Sequence, residues 1–110
     1  MKVAVIGSRG IADIDLAQYI PVGTTEIISG GAKGVDTLAR EYALQNGLKF
    51  REILPDYPRY GRGAPLQRNK EIVELADSVI ALWDGTSKGT EFVIAWCERC
   101  QVPCCVYIIQ

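Results

Sequence analysis

Residues 25–46 read TEIISGGAKGVDTLAREYALQN, and this stretch decides the fold. Thr25–Ser29 (TEIIS) carries two β-branched isoleucines after a threonine and is stopped by Gly30-Gly31, which is the signature of a strand. A helical pattern follows over Gly34–Asn46. There Val35, Leu38, Ala39, Tyr42 and Ala43 recur at i, i+3, i+4, i+7 and i+8 and make one apolar face. Gly47 comes just after the last turn, where a left-handed cap is common. Strand, glycine loop and helix in that order form a β–α unit.

The same alternation extends in both directions. Lys2–Ile6 (KVAVI) predicts a strand stopped by Gly7, and Asp13–Tyr19 predicts a short helix closed by Pro21. Leu48–Leu54 predicts a third strand, and Pro55–Gly63 a loop with two Pro and two Gly. Pro65–Ala76 predicts a helix, with proline near its first turn and Leu66, Ile72, Val73 and Ala76 facing inward. Ser78–Trp83 predicts a fourth strand and Asp84–Lys88 a glycine-containing loop. Thr90–Cys100 predicts a helix with Val93, Trp96, Cys97 and Cys100 on its apolar stripe, and Pro103–Ile109 a fifth strand. The strands are apolar runs more than alternations, which suits strands covered on both faces. The expected fold is a Rossmann-like three-layer α/β/α domain over 1–110, with a five-stranded, mainly parallel sheet. Right-handed crossovers then gather the strand-exit loops at the carboxyl edge, where ligands bind.

Composition narrows the chemistry. The chain has 110 residues, 12 Lys and Arg against 13 Asp and Glu, and a net charge of −1. Attachment to DNA or to an anionic membrane through bulk charge favours a more basic protein. Histidine is absent, which removes the Ser-His-Asp triad and every histidine metal ligand. No apolar run approaches the ~20 residues that span a bilayer, and the N-terminus enters a strand pattern with no signal-peptide core. The expected location is cytoplasmic.

The strand-exit loops read GSRG at 7–10, GGAKG at 30–34 and GTSKGT at 85–90, with the longer 55–63 loop beside them. Glycines let backbone approach a ligand, and free N–H groups at a helix start favour an anion. Arg9, Lys33, Arg59, Arg62 and Lys88 fall in these loops and Arg68 in the turn after one of them, half of the 12 basic residues. The loops hold only Asp56 and Asp84 as acids, and 59–70 carries four bases and no acid. A phosphate-bearing ligand is the simplest partner for such a field. The loops match neither G-x-G-x-x-G nor G-x-x-x-x-G-K-[ST], so a P-loop nucleotide hydrolase is disfavoured.

The ordered set VAVIGSR at the start, ISGGAKGVDTLA at 28–39, GAPLQRN at 63–69, ADSVIALW at 76–83 and SKGT at 87–90 resembles the SLOG superfamily. This group of Rossmann-like nucleotide-binding domains includes the LOG phosphoribohydrolases, DprA/Smf and small stand-alone members. The resemblance covers nearly the whole chain. It implies that Gly7, Ser8 and Arg9 line the ligand cleft, and that Gly30, Gly31, Ala32, Lys33, Gly34 and Asp36 form the loop and helix start against the ligand. It implies a second phosphate loop in Gly85, Ser87, Lys88, Gly89 and Thr90, and it places Arg68, with Asn69 beside it, where LOG enzymes hold an arginine near the glycosidic bond. LOG enzymes read P-G-G-x-G-T-x-x-E, with the final Glu catalytic. Here that position is Val93, Glu91 comes two residues early, and Trp83-Asp84-Gly85 replaces the Pro-Gly-Gly.

Other residues admit two roles. Asp36 suits either a ribose hydroxyl or the free N–H groups of its own helix. Asp84 suits a turn better than a substitute base. Tyr57 or Tyr60 could stack on a base, whereas Trp83 reads as a packing residue and Trp96 as core or dimer interface. Cys97, Cys100, Cys104 and Cys105 lie together in sequence, but helix and strand periodicity divides them, so zinc or an iron–sulfur cluster is disfavoured. No cofactor is required. The expected function is binding or sensing of a nucleotide-derived ligand by a homodimer or higher oligomer, with Phe92 and Trp96 as interface residues. The alternatives are an N-glycosidase of nucleoside monophosphates using Arg68, with Asp84 as a candidate base, and single-stranded DNA binding.

Overall fold

The computed structural model describes residues 1–11, 13–30 and 34–109. Five strands form one sheet: β1 (Lys2–Gly7), β2 (Glu26–Ser29), β3 (Lys49–Glu52), β4 (Ser78–Trp83) and β5 (Cys104–Ile108). Their order is β3-β2-β1-β4-β5, and every neighbouring pair is parallel. Helices α1 (Val35–Gln45), α2 (Tyr57–Tyr60), α3 (Ala64–Leu75) and α4 (Lys88–Cys100) occupy the connections. The Rossmann-like three-layer α/β fold is therefore present.

Alternation along the apolar strands builds two cores. Val3 and Val5 of β1, Ile27 of β2, and Ile80 and Leu82 of β4 pack with Val35, Ala39 and Ala43 of α1. Their neighbours Ala4, Ile28 and Val79 point the other way and pack with Ile72 and Val73 of α3 and Val93 and Cys97 of α4. Each fully buried Val, Leu or Ile side chain contributes about 1.5–3 kcal/mol. The central strands need apolar residues at consecutive positions because both faces are covered. Strand order reverses between β1 and β4, which opens a crevice at their carboxyl ends.

Four local expectations are corrected. Only Leu16–Gln18 of the 13–19 stretch is helical, as a single 3-10 turn capped by Asp15, which accepts from the Ala17 N–H at 3.1 Å. The 55–63 segment is no plain loop. Asp56 accepts from the Arg59 N–H and starts α2, and a 3-10 turn follows at Gly61–Gly63. Leu66 is 46% exposed, because the first turn of α3 overhangs the end of the sheet rather than its face. Cys100 is exposed too, since α4 runs past the core in its last turn.

The aromatic pair of α4 is largely engaged within the chain. The Phe92 and Trp96 rings stack with centroids 6.0 Å apart. The Lys70 ammonium lies 4.7 Å and the Arg99 guanidinium 5.5 Å from the Trp96 ring centre. Among the described residues no helix is long and apolar enough to cross a membrane.

Candidate functional site

A cavity of about 450 Å³ opens at the crevice between β1 and β4, within the usual range for small-molecule sites. Gly7, Ser8, Arg9 and Gly10 reach it from β1, and Ser29 and Gly30 from β2. Val35 and Asp36 of α1 and Pro65, Leu66, Arg68 and Asn69 of α3 supply the walls. Asp84, Ser87, Lys88, Gly89 and Thr90 close it from the β4–α4 loop. The expected site residues thus converge from four segments. Gly34 and Gly85 are not among the lining residues, and Gly31, Ala32 and Lys33 lie outside the described residues. Val5, Ile6, Ser29, Val35, Pro65 and Leu66 also line the cavity, and none of them stands out from the sequence as a site residue.

Ser8 ties the two central loops together. Its N–H donates to the Leu82 carbonyl at 3.0 Å, and its Oγ accepts from the Asp84 N–H at 3.1 Å. The hydroxyl is buried and engaged, so Ser8 shapes the cleft floor. The Trp83 indole N–H donates to the Ser87 carbonyl at 3.1 Å, which holds the far end of the β4–α4 loop. Trp83 thus has a role in loop geometry.

Asp84 organises the loop itself. Its Oδ1 accepts from the N–H groups of Thr86 and Ser87 at 2.9 and 2.8 Å, and its Oδ2 accepts from the Ser87 hydroxyl at 2.7 Å. The Thr86 N–H, then the Ser87 hydroxyl and N–H, hold the carboxyl well below the usual carboxylate range. A carboxylate so stabilised is a weak base. Because the folded pKa is depressed, the stability it confers is complete above the ordinary aspartate pKa of about 3.9. It is lost as pH falls from there toward the folded value. The melting-temperature gap between wild type and Asp84→Ala should therefore be widest near neutrality and narrow below about pH 4. Thermal melts over a pH series check this; a gap that stays constant into acid counts against it.

The Asp84 clamp has an effect on α4. Ser87 is its N-cap residue, yet makes no side-chain cap bond, because its hydroxyl turns back to Asp84. Among the described residues, no acceptor meets the N–H groups of Lys88, Gly89 and Thr90. The Thr90 hydroxyl, on a residue 3% exposed, and the Ser29 hydroxyl, on a residue 2% exposed, likewise have no partner there. Open donors at the positive end of a helix are an anion-binding arrangement.

Arg68 crosses the cleft from α3. Its Nη1 donates to the Gly30 carbonyl and its Nε to Asn69 Oδ1 at 2.8 Å. Gly30 permits this approach, since a Cβ there would sit 3.1 Å from Arg68 Cδ. Burial lowers the Arg68 pKa, while Tyr57 and Asp36 oppose that shift. The group remains a cation, but a partly dehydrated one. Arg9 and Lys88 add two more positive charges to the lining. Asp36 lies 3.7 Å from Arg40 of its own helix, and Arg40 also bonds Glu52 at 2.7 Å. Arg59 covers the Tyr60 ring at 5.1 Å, while Tyr57 stays exposed.

Val93 is fully buried in the α3/α4 core and Glu91 is exposed outside the cavity lining. Among the described residues no group of three or more His, Cys, Asp or Glu could hold a metal. The four cysteines are free thiols: Cys97 is buried, Cys104 half-buried, and Cys100 and Cys105 exposed. The Cys97 thiol, which donates a hydrogen bond to the Cys104 sulfur and is buried, is pushed well above the ordinary thiol range.

Compared with models of protein families, with curated proteins and with solved structures, the chain gives no match.

Proposed function

We propose that the cleft binds a phosphate-bearing, nucleotide-derived ligand and that the protein acts as a binding or sensing module. The observation that carries this reading is the open first turn of α4. The three N–H groups and the Thr90 hydroxyl belong to residues that line a cavity edged by Arg9, Arg68 and Lys88. The two carboxylates of the lining do not offset these cations fully. Asp84 is engaged by its own loop and Asp36 lies beside Arg40. A phosphate takes the α4 N-terminus, and the rest of the ligand extends along the β1 and β2 ends toward Arg68. Four of the five motifs that resemble the SLOG superfamily contribute residues to the lining of this cleft, which supports the same ligand class.

Two features favour binding over hydrolysis of an N-glycosidic bond. The position of the LOG catalytic glutamate is a buried valine, Val93. Asp84, the substitute base, is too strongly stabilised as an anion to take a proton efficiently.

Native mass spectrometry of the purified protein mixed with AMP, CMP, NAD and ADP-ribose tests the proposal. A nucleotide retained intact is expected. Ribose phosphate retained with free base in solution would make the protein a glycosidase, and no retained ligand would overturn the phosphate site. Thr90→Val keeps the side-chain shape and removes one donor. It should weaken phosphate binding about tenfold, the value of one hydrogen bond to a charged group. Titration calorimetry reads this directly, and unchanged affinity would remove Thr90 from the site.

A further inference from the structure

The two edges of the sheet are unlike. β3 reads KFRE and meets solvent with Lys49 and Arg51 exposed, the usual protection of an edge. β5 reads CCVYI, and the whole 102–109 stretch carries no charged residue. Val106 is 40% and Ile108 52% exposed, and Cys105 and Tyr107 are exposed on the opposite face. No described strand pairs with its outer side.

The backbone of β5 fixes what that side can bond. The Val79 N–H donates to the Pro103 carbonyl and the Ile109 N–H to the Trp83 carbonyl. With Val79 opposite Cys104 and Trp83 opposite Ile108, odd-numbered residues of this strand bond inward to β4. The N–H and C=O groups of Cys104, Val106 and Ile108 therefore point outward.

We propose that β5 is the seam of a two-fold dimer, in which the β5 strands of two copies pair antiparallel about Val106 and make one ten-stranded sheet. In that register Val106 faces Val106 of the other copy as a hydrogen-bonded pair. Cys104 and Ile108 face each other in the same way, twice. All outward amides of both strands are then satisfied, which no register shifted by one residue achieves. A second copy is the fitting occupant because the strand is uncharged and meets no like charge in itself. Its outward groups also complement their own two-fold image. The seam buries Val106 and Ile108 on the α4 face. Cys105 and Tyr107 of opposite copies form the non-hydrogen-bonded pairs between, where Cα atoms approach to about 4.5 Å.

Analytical ultracentrifugation of the full chain, with and without Val106→Pro, tests this. The Val106 N–H points outward, so proline breaks no bond to β4 and is tolerated on such an edge. Wild type should sediment as a dimer at high micromolar concentration, and Val106→Pro should raise the dimer dissociation constant at least about tenfold. A monomeric wild type overturns the proposal, as does an undiminished Val106→Pro dimer. If Val106→Pro fails to fold, Tyr107→Cys replaces it. Mild oxidation should then link Cys105 of one copy to the introduced thiol at position 107 of the other, a separation a disulfide spans. Peptide mapping that finds no such bond in a dimeric sample overturns the register. None of these readouts depends on the cleft's ligand.

Discussion

Gly7→Ala should lower the unfolding free energy by about 3 kcal/mol, the upper part of the range for overpacking a core. A Cβ at position 7 would lie 2.2 Å from Val35 Cγ2 and 2.9 Å from Val35 Cβ. Val35 is fully buried at the start of α1, and a β-branched side chain in a helix has essentially one rotamer. It cannot turn aside, so α1 must lift from β1. The lift moves Asp36 and opens the cleft floor, and ligand affinity should fall together with stability. Val35→Ala in the same chain removes the Cγ2 obstacle. The double variant should therefore be more stable than the sum of the single changes by about 1 kcal/mol or more. Urea denaturation followed by the fluorescence of Trp83 and Trp96 measures all four proteins. Strict additivity would mean that the strain is relieved elsewhere.

Arg68→Ala should weaken the binding of a nucleoside monophosphate by about 10- to 100-fold, the value of one charge-assisted contact in a partly dehydrated site. Arg68→Lys should recover only part of this, because an ammonium keeps the charge without the planar fork. Arg68 also supports the chain internally, through its bond to the Gly30 carbonyl and its packing over Gly30. Calorimetric affinity must therefore be read beside stability. A variant that loses stability but not affinity would make the guanidinium a strut, whereas loss of affinity in a stable fold makes it a ligand contact.

Much of the fold was legible because its signals are local. The 3.6-residue period over 34–46 marked α1, and apolar runs such as SVIALW marked strands covered on both sides. Gathering of the strand-exit loops followed from the handedness of parallel crossovers, without any contact being known. What escaped the sequence depends on where an element ends relative to its neighbours. Leu66 and Cys100 fit the helical period of their helices, yet each lies in a terminal turn that overshoots the core. Ser29 ends a strand of buried residues, and it lines the cavity because it stands at the carboxyl end of the sheet. Phe92 and Trp96 lie four residues apart on α4, so their stacking follows from helical spacing, whereas the approach of Lys70 from α3 to the Trp96 ring is a tertiary contact that spacing does not encode.

Ser87 sits where a serine would ordinarily close its own helix, but Asp84 holds the hydroxyl away from α4. Asp84 therefore acts as a catch on an internal plug. Once the catch is released, by Asp84→Ala or by acid, the Ser87 hydroxyl is free to swing onto the α4 N–H groups and compete with any incoming anion. The competitor is part of the chain, so dialysis cannot remove it and added ligand must outbid it. Asp84→Ala should thus lose affinity for an anion despite shedding a negative charge, whereas a simple electrostatic view predicts a gain. The sign of that change distinguishes a carboxylate that repels the ligand from one that keeps its seat open.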